Sequence, residues 1–352
     1  MPSPTVAVLV RTKDRPRFLR RALANIAEQT FTDYTVCVIN DGGDESATRA
    51  ILQASPLAHL LEGDAPRLTL LTTGGGNMEA ASNAGLAATD SEFVAIHDDD
   101  DLWAPEFLER TVGALRASEA LICSTRVVER YERETPKGEF EVYEERIFHD
   151  GLPGFGLQFL YRTNRAVPIG ILYRRRLHEL VGFYDESLPV VGDWEFNLRA
   201  AAVTEVLLVD EPLAYWSLRP EADGADANSV QRQAEHARFD ASVRARAIRD
   251  DLQSGGRPGP YLYQAHLMAD LERRVIDGHD LTRESLDLLR SLGERLERIE
   301  ARQAAMDARQ RELEARFAAD RSRGRGALRT LSSAARSLAR RMLSATPHGK
   351  GR

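Results

Sequence analysis

Phe93-Val94-Ala95-Ile96-His97-Asp98-Asp99-Asp100-Asp101-Leu102-Trp103 decides how this chain is read. Its apolar, partly β-branched start predicts a buried strand. The strand ends in four consecutive carboxylates. Like charges held together repel and raise one another's pKa values, so the cluster requires a positive group within it. A divalent cation with oxygen ligands serves this need well, and Mg²⁺ takes one or two carboxylates together with substrate phosphates. Position points the same way, because ligands of open α/β sheets bind beyond the carboxyl ends of the strands. The competing reading is a solvated acidic turn capping a helix that starts at Pro105.

Upstream, strands and helices alternate. Thr5–Val10 reads as a strand, and Arg17–Gln29 as a helix with Phe18, Leu19, Ala22, Leu23 and Ile26 on one face. Tyr34–Asn40 is a second strand, stopped by the turn Asp41-Gly42-Gly43. Ser46–Leu52 is helical in pattern, Leu68–Thr72 is a third strand, Thr73–Asn77 a glycine-rich loop and Met78–Ala87 a helix. This spacing predicts βαβ units and a mostly parallel sheet. Three strands end in polar or acidic groups on one edge, a crevice suited to a ligand with sugar-like hydroxyls and phosphates. His97 falls on the opposite side of its strand from the acids and reads as a packing residue.

Three blocks in order, "VAVLVRTKDRPRFLRRALANIAEQTFTDYTVCVINDGG", "AASNAGL" and "AIHDDDDLW", resemble a family 2 glycosyltransferase of the GT-A fold over residues 5–103. Val181–Leu188 followed by Gly192–Arg199 resembles the acceptor half of that family. The resemblance implies an α/β GT-A domain, Rossmann-like with a mostly parallel sheet. It implies an inverting transferase that moves a sugar from a nucleotide-sugar donor to a hydroxyl of a glycan or lipid-linked acceptor, in bacterial surface-polysaccharide synthesis. It assigns the base edge of the donor to Asp41, the surrounding pocket to Thr12, Asp14 and Asn83, and a Mg²⁺ or Mn²⁺ ion to Asp100 and Asp98, with Asp98 also near the ribose. Asp99 and Asp101 are left as supporting or helix-capping groups. Such a metal polarises the leaving diphosphate. Asp193 is the implied general base, taking the proton of the acceptor hydroxyl as it attacks the anomeric carbon.

The sequence departs from the family at four places, the first being Asp14 where Asn is frequent. Gly192 replaces a usual Glu, Ser82 a frequent Arg before Asn83, and Arg219 stands about where a phosphate- or metal-binding His is common. A guanidinium pairs bidentately with phosphate oxygens, so Arg219 is a donor-binding candidate. Residues 131–137 and 139–147 alternate like a hairpin, and Gly151–Gly156 is a loop suited to cover an acceptor.

The expected domains are 1–225 for the transferase, 226–288 for a helical extension, 289–317 for a coiled coil and 318–352 for a basic tail. Leu289, Leu292, Leu296, Ile299, Gln303, Met306, Gln310, Leu313 and Phe317 alternate steps of three and four. Arg295, Arg302 and Arg309 then fall at g, with Glu300, Asp307 and Glu314 at the facing e positions. These charges favour a parallel homo-oligomer, and Leu296 at a with Ile299 at d leans to a trimer over a dimer. Beyond the seam, Leu328, Leu331, Ala335, Leu338 and Met342 make a narrow apolar face among arginines, the pattern of a helix lying on an anionic membrane.

Composition sets the outer bounds. The chain has 352 residues, 43% hydrophobic and 29% charged, with a net charge of -7. Residues 321–352 hold nine Lys or Arg and no Asp or Glu, so the other 320 carry -16. No apolar run reaches the roughly 18 residues of a membrane span, and the N-terminus shows no secretory pattern. The expected location is the cytoplasm, with peripheral attachment at the inner face of the cytoplasmic membrane through the tail, and no nucleic-acid partner. Cys37 and Cys123 have neither disulfide nor zinc spacing. Two alternatives stand beside this reading. A nucleotidyltransferase also uses paired acids and Mg²⁺, but Thr12–Pro16 lacks the glycine-rich basic loop it needs. A non-catalytic coiled-coil scaffold that binds a nucleotide sugar fits the departures at Ser82 and Arg219.

Overall fold

A computed structural model describes residues 4–322 except Lys137, Leu152, Arg165, Asp223, Ala227 and 229–232. The residues after 322, most of the expected basic tail, lie outside the described residues. The chain separates into two compact units, Met1–Ser254 and Gly255–Arg352. The boundary falls inside the stretch expected as a helical extension.

The first unit opens with strand β1 (Val6–Thr12), helix α1 (Pro16–Ala27), β2 (Tyr34–Asp41), α2 (Glu45–Ala54), β3 (Leu68–Thr73), α3 (Met78–Ala88) and β4 (Phe93–Asp98). It continues with β5 (Leu102–Trp103), α4 (Phe107–Arg116), β6 (Ile122–Glu134), β7 (Phe140–Ile147), α5 (Leu157–Leu160), β8 (Ile171–Arg174), α6 (Leu177–Val181), α7 (Gly192–Val203), β9 (Val206–Leu218) and α8 (Gln233–Gln253). The strands form one sheet in the order β3-β2-β1-β4-β8-β6-β9-β5, with β7 on β6. β3, β2, β1 and β4 are all parallel. β8 enters antiparallel to β4, and beyond it the sheet is mixed. The α/β fold class expected from the alternation is the one observed.

The alternation of side chains explains the layers. Val6, Val8 and Val10 join Leu19, Leu23, Ile26, Phe107 and Leu115 on one face, while Ala7 and Leu9 join Ile39, Ala81, Leu86 and Phe196 on the other. A strand covered on both faces reads as a continuous apolar run, as β1 does. α1 begins with Pro16, whose missing N–H is an orphan of the first turn in any case. It buries Phe18, Leu19, Ala22, Leu23 and Ile26, the expected stripe. β6 and β7 pair antiparallel, as the alternation of residues 131–147 predicted. His97 is fully buried, its Nδ1 2.8 Å from the Asp98 carbonyl and its ring edge-on to Trp103.

The second unit, within the described residues, is one 65-residue helix, α9 (Pro258–Ser322). At about 1.5 Å per residue it is roughly 100 Å long. Leu289, Leu292, Ile299 and Met306 are each at least 50% exposed on it. The side chains of Leu296, Leu313 and Phe317, also expected in the seam, lie outside the described residues. Among the described residues no helix is long and apolar enough to cross a membrane.

Candidate active site

The carboxyl ends of β1, β2 and β4 bring Thr12, Asp41 and Asp98 to one edge of the sheet. Beside them opens a cleft of about 470 Å³, lined by Asp41, Thr73, Gly74–Gly76, Asn83 and Glu186 among others. Its floor is main chain. Gly42 has φ +81°, and a Cβ there would stand 3.0 Å from the Gly75 Cα, so the loops after β2 and β3 touch backbone to backbone. Asp41 accepts from the Thr73 hydroxyl at 2.6 Å and the Gly76 N–H at 3.0 Å. Asn83 joins this side to the later part of the chain: it donates to the Tyr184 carbonyl at 2.9 Å and the Glu186 carboxylate at 2.8 Å, and accepts from the Tyr184 N–H. Asp14 stands apart from the cleft lining. At φ +52° it accepts from the Asp44 N–H at 2.9 Å, and Asp44 caps α2.

The four-acid stretch is held by the chain's own arginines. In the β1–β4 register Arg11 lies opposite Asp98, and its guanidinium donates to both Asp98 oxygens at 2.8 Å. Arg15 donates to Asp99 at 2.9 Å and to Asp100 at 2.8 Å. Arg219, 3% exposed and 4.4 Å over the Phe18 ring, is hydrogen-bonded to the same Asp100 oxygen. Thr12 donates to Asp99 at 2.7 Å, and the Ser217 N–H to Asp101 at 2.8 Å. Burial alone raises a carboxyl's pKa. At Asp100 burial is opposed and outweighed by Arg15 and Arg219, which hold it below the usual carboxylate range. Asp101, buried beside Asp100 and Asp98, is pushed well up.

Arg11, Arg15 and Arg219 supply positive charge that the acids require. Of the two places left open for Asp101, supporting or helix-capping, it takes the supporting one: it accepts from the β9 backbone at Ser217, and α4 starts after Glu106. As for Mg²⁺ or Mn²⁺ on Asp98 and Asp100, both Asp98 oxygens are engaged by Arg11 and one Asp100 oxygen by Arg15, Arg219 and Asn228. Among the described residues no three His, Cys, Asp or Glu side chains are grouped to hold a metal ion. As arranged, the acids fit arginines and do not fit a metal. Arg219, expected on phosphate, faces Asp100.

Asp193 lies in the first turn of α7, where the Asn164 amide donates to it at 2.8 Å. Burial raises its pKa against that bond. It borders a small cavity of about 10 Å³ with Tyr173, Tyr184 and Asn197, room for one water. The preceding Val191 is left-handed at φ +61°, a rare conformation for a β-branched residue. Arg11, Arg15, Glu79 and Asn164 are the residues that sequence reasoning passed over. A signal existed for Arg11 alone: period two puts it on the β1 face of Ala7 and Leu9, toward α3, where it donates to Ser82 at 3.1 Å.

Residues 7–180 match the family model described as "Glycosyl transferase family 2". The chain is 25% identical over 201 residues to an uncharacterized glycosyltransferase, YwdF, of Bacillus subtilis, spanning 56% of this chain and 68% of YwdF. Over 95 residues it is 38% identical to the succinoglycan biosynthesis protein ExoW of Rhizobium meliloti, 26% of this chain and 28% of that one. Among solved structures, that of S. aureus TarS 1-349 in complex with UDP-GlcNAc aligns with a TM-score of 0.47 at 16% identity, covering 64% of this chain and 61% of TarS 1-349.

Proposed function

From the premise that the chain carries a glycosyl transferase family 2 domain, we propose that it moves a sugar, with inversion, from a nucleotide-sugar donor to a hydroxyl of a glycan or lipid-linked acceptor in surface-polysaccharide synthesis. The observation that carries this reading is the 470 Å³ cleft at the ends of the parallel strands, with Asp41 beside a glycine floor. Its size suits a nucleoside, and Asp41 accepts hydrogen bonds from a base edge. Asp14 buttresses the loop after β2 through the Asp44 N–H, Thr12 holds Asp99, and Asn83 ties the donor side to the segment before α7. Arg11, Arg15 and Arg219, bonded to Asp98, Asp99 and Asp100, offset the charge of the acids beside the cleft, so that an anionic diphosphate meets less repulsion at that edge. Asp193 takes the proton of the attacking hydroxyl. Its burial shifts it toward the neutral range in which a general base works best.

A divalent cation, when bound, supplies a Lewis acid for the leaving diphosphate. Asp98 and Asp100 would hold it only if their arginines gave way. Thermal shift with a panel of UDP- and GDP-sugars identifies the donor, and Asp41→Ala is expected to abolish the shift. A panel that leaves the melting temperature unmoved sinks the reading. Release of the nucleoside diphosphate is then measured in chelator and in Mn²⁺. Rates within about twofold support the arginine arrangement, and loss of release on chelation returns the role to a metal.

Residues 289–317 form, in this reading, a parallel coiled coil with a second and third copy of the chain. The exposed Leu289, Leu292, Ile299 and Met306 supply the seam. The g–e charges select orientation, each exposed pair contributing well under about 1 kcal/mol. Light scattering is expected to give a trimer, or failing that a dimer, for the full chain and a monomer for a chain ending at Thr282. The basic tail then reaches an anionic bilayer, and removing residues 321–352 is expected to weaken binding to phosphatidylserine vesicles at low salt while leaving donor turnover in place.

A further inference from the structure

Glu79 enters from the first turn of α3 and is only 3% exposed. Its carboxyl lies in the side-chain space of another residue. A Cβ built on Gly192 would meet the Glu79 Oε1 at 2.3 Å, Cγ at 2.4 Å and Cδ at 2.5 Å. Contacts that short do not occur between real atoms, and they involve three consecutive parts of one side chain. Gly192 is therefore glycine for want of room, and the room is taken by an acid. One oxygen of that acid, Oε2, is buried without a hydrogen-bond partner among the described residues. A native protein rarely leaves a buried polar atom in that state. The groups whose charge reaches Glu79 are Arg11 of β1, Asp193 of α7 and Asp98 of β4; Glu79 in turn acts on Tyr184.

We propose that Glu79 is a positioning residue for the base: its carboxyl, seated over Gly192, braces the first turn of α7 and so sets where the Asp193 carboxylate stands. Arg11 extends the brace to the donor side, since it is bonded to Asp98 at 2.8 Å and to Ser82 at 3.1 Å. Donor and base are thereby registered to each other in steps: Asp98 of β4 to Arg11 of β1, Arg11 to the Met78 carbonyl and Ser82 hydroxyl of α3, and α3 through Glu79 to Gly192 of α7. The proposal rests on Asp193 acting as base in the transfer reaction.

The test is a swap. Gly192→Ala, which forces a methyl onto the Glu79 carboxyl, is expected to lower release of UDP or GDP from the donor identified by thermal shift at least tenfold, with the donor KM within about twofold. Glu79→Ala, which removes the brace, is expected to do the same. The double change Glu79→Ala/Gly192→Glu returns a carboxyl to the same space from the other side and should recover at least a third of wild-type turnover. Glu79→Gln keeps the outline of the side chain and should cost at most about threefold. Wild-type turnover in Gly192→Ala overturns the proposal, as does a swap that melts like wild type yet is no better than the single variants. A tenfold loss in Glu79→Gln overturns it in favour of an acid–base role. If the wild-type protein releases no nucleotide from any donor, the transferase reading fails, and the brace is judged without ligand. The side-chain ¹³C resonance of Asp193, assigned with Asp193→Asn, is then expected to move in Gly192→Ala and Glu79→Ala and to return in the swap. A resonance that stays fixed in both single variants ends the proposal.

Discussion

Asp100 and Glu79 are both buried carboxyls, 7% and 3% exposed, and they meet opposite surroundings. Asp100 receives two guanidinium groups and an amide on one oxygen. Glu79 has an oxygen with no partner among the described residues. Their pKa values part accordingly: Asp100 is held down by its arginines against burial, and Glu79 is pushed up to about 7, chiefly by burial. The same chemical group serves as an anchor for cations at one place and as a holder of protons at the other. Burial sets the cost in both cases, and the neighbours decide whether it is met by charge or by a proton.

The difference can be broken from either side. The largest effect is expected at the proton-handling side: Asp193→Asn should keep donor affinity and lose transfer by a factor of about 10² to 10⁴. Transfer at the wild-type rate removes Asp193 from the mechanism. On the anchored side, Arg219→Ala leaves Asp100 with Arg15 and the Asn228 amide, and breaking a buried pair costs about 3 kcal/mol. Chemical denaturation reads this directly, and a change below about 1 kcal/mol shows Asp100 to be less dependent on its arginines than the geometry implies.

The third prediction sharpens the comparison through pH. Glu79 has a raised pKa, about 7 against an ordinary 4.5, so between these values the folded protein holds a proton that the unfolded chain has released. Stability is therefore lost as pH rises from 4.5 to 7, by roughly 3 kcal/mol at most. Buried His97 runs the other way. Its pKa is held down to about 4 by burial, so its contribution is lost as pH falls below the ordinary 6.5. Wild type compared with Glu79→Gln isolates the first slope; parallel curves for the two proteins contradict it. The smallest effect concerns Val191. Replacing this left-handed, β-branched residue with glycine relieves backbone strain of about 1 kcal/mol. The variant should melt a few degrees higher if helix α7 keeps its place.

How much of this was legible follows from distance along the chain. Strands buried on both faces write themselves as apolar runs, so β1, β2 and β4 were plain, and so was the edge on which Asp41 and Asp98 sit. A heptad seam is local in the same sense. The arginines that hold the acids were hidden because Arg15 lies 84 residues from Asp99 and Arg219 lies 119 from Asp100. Charge balance showed that the acids needed a cation, and only the folded register shows which one. Glu79 was harder still. A carboxylate in the first turn of a helix reads as ordinary compensation of the helix dipole, and nothing local in the sequence says that it points into the core toward Gly192. The heptad and the tail are read from spacing and charge in the sequence.

The contact of Glu79 with Gly192 also limits how this sequence can drift. A change at position 192 to any other residue collides with a side chain 113 positions earlier. Loss of Glu79 first opens a buried space that nothing fills until position 192 changes in turn. Either order passes through a poorer intermediate, so the two sites are expected to change together or not at all. Relatives of this protein should thus fall into two groups, one with an acid on α3 facing glycine and one with the large side chain on α7. Chimeras exchanging only α3 or only α7 between the groups should be defective where whole-domain exchanges are not.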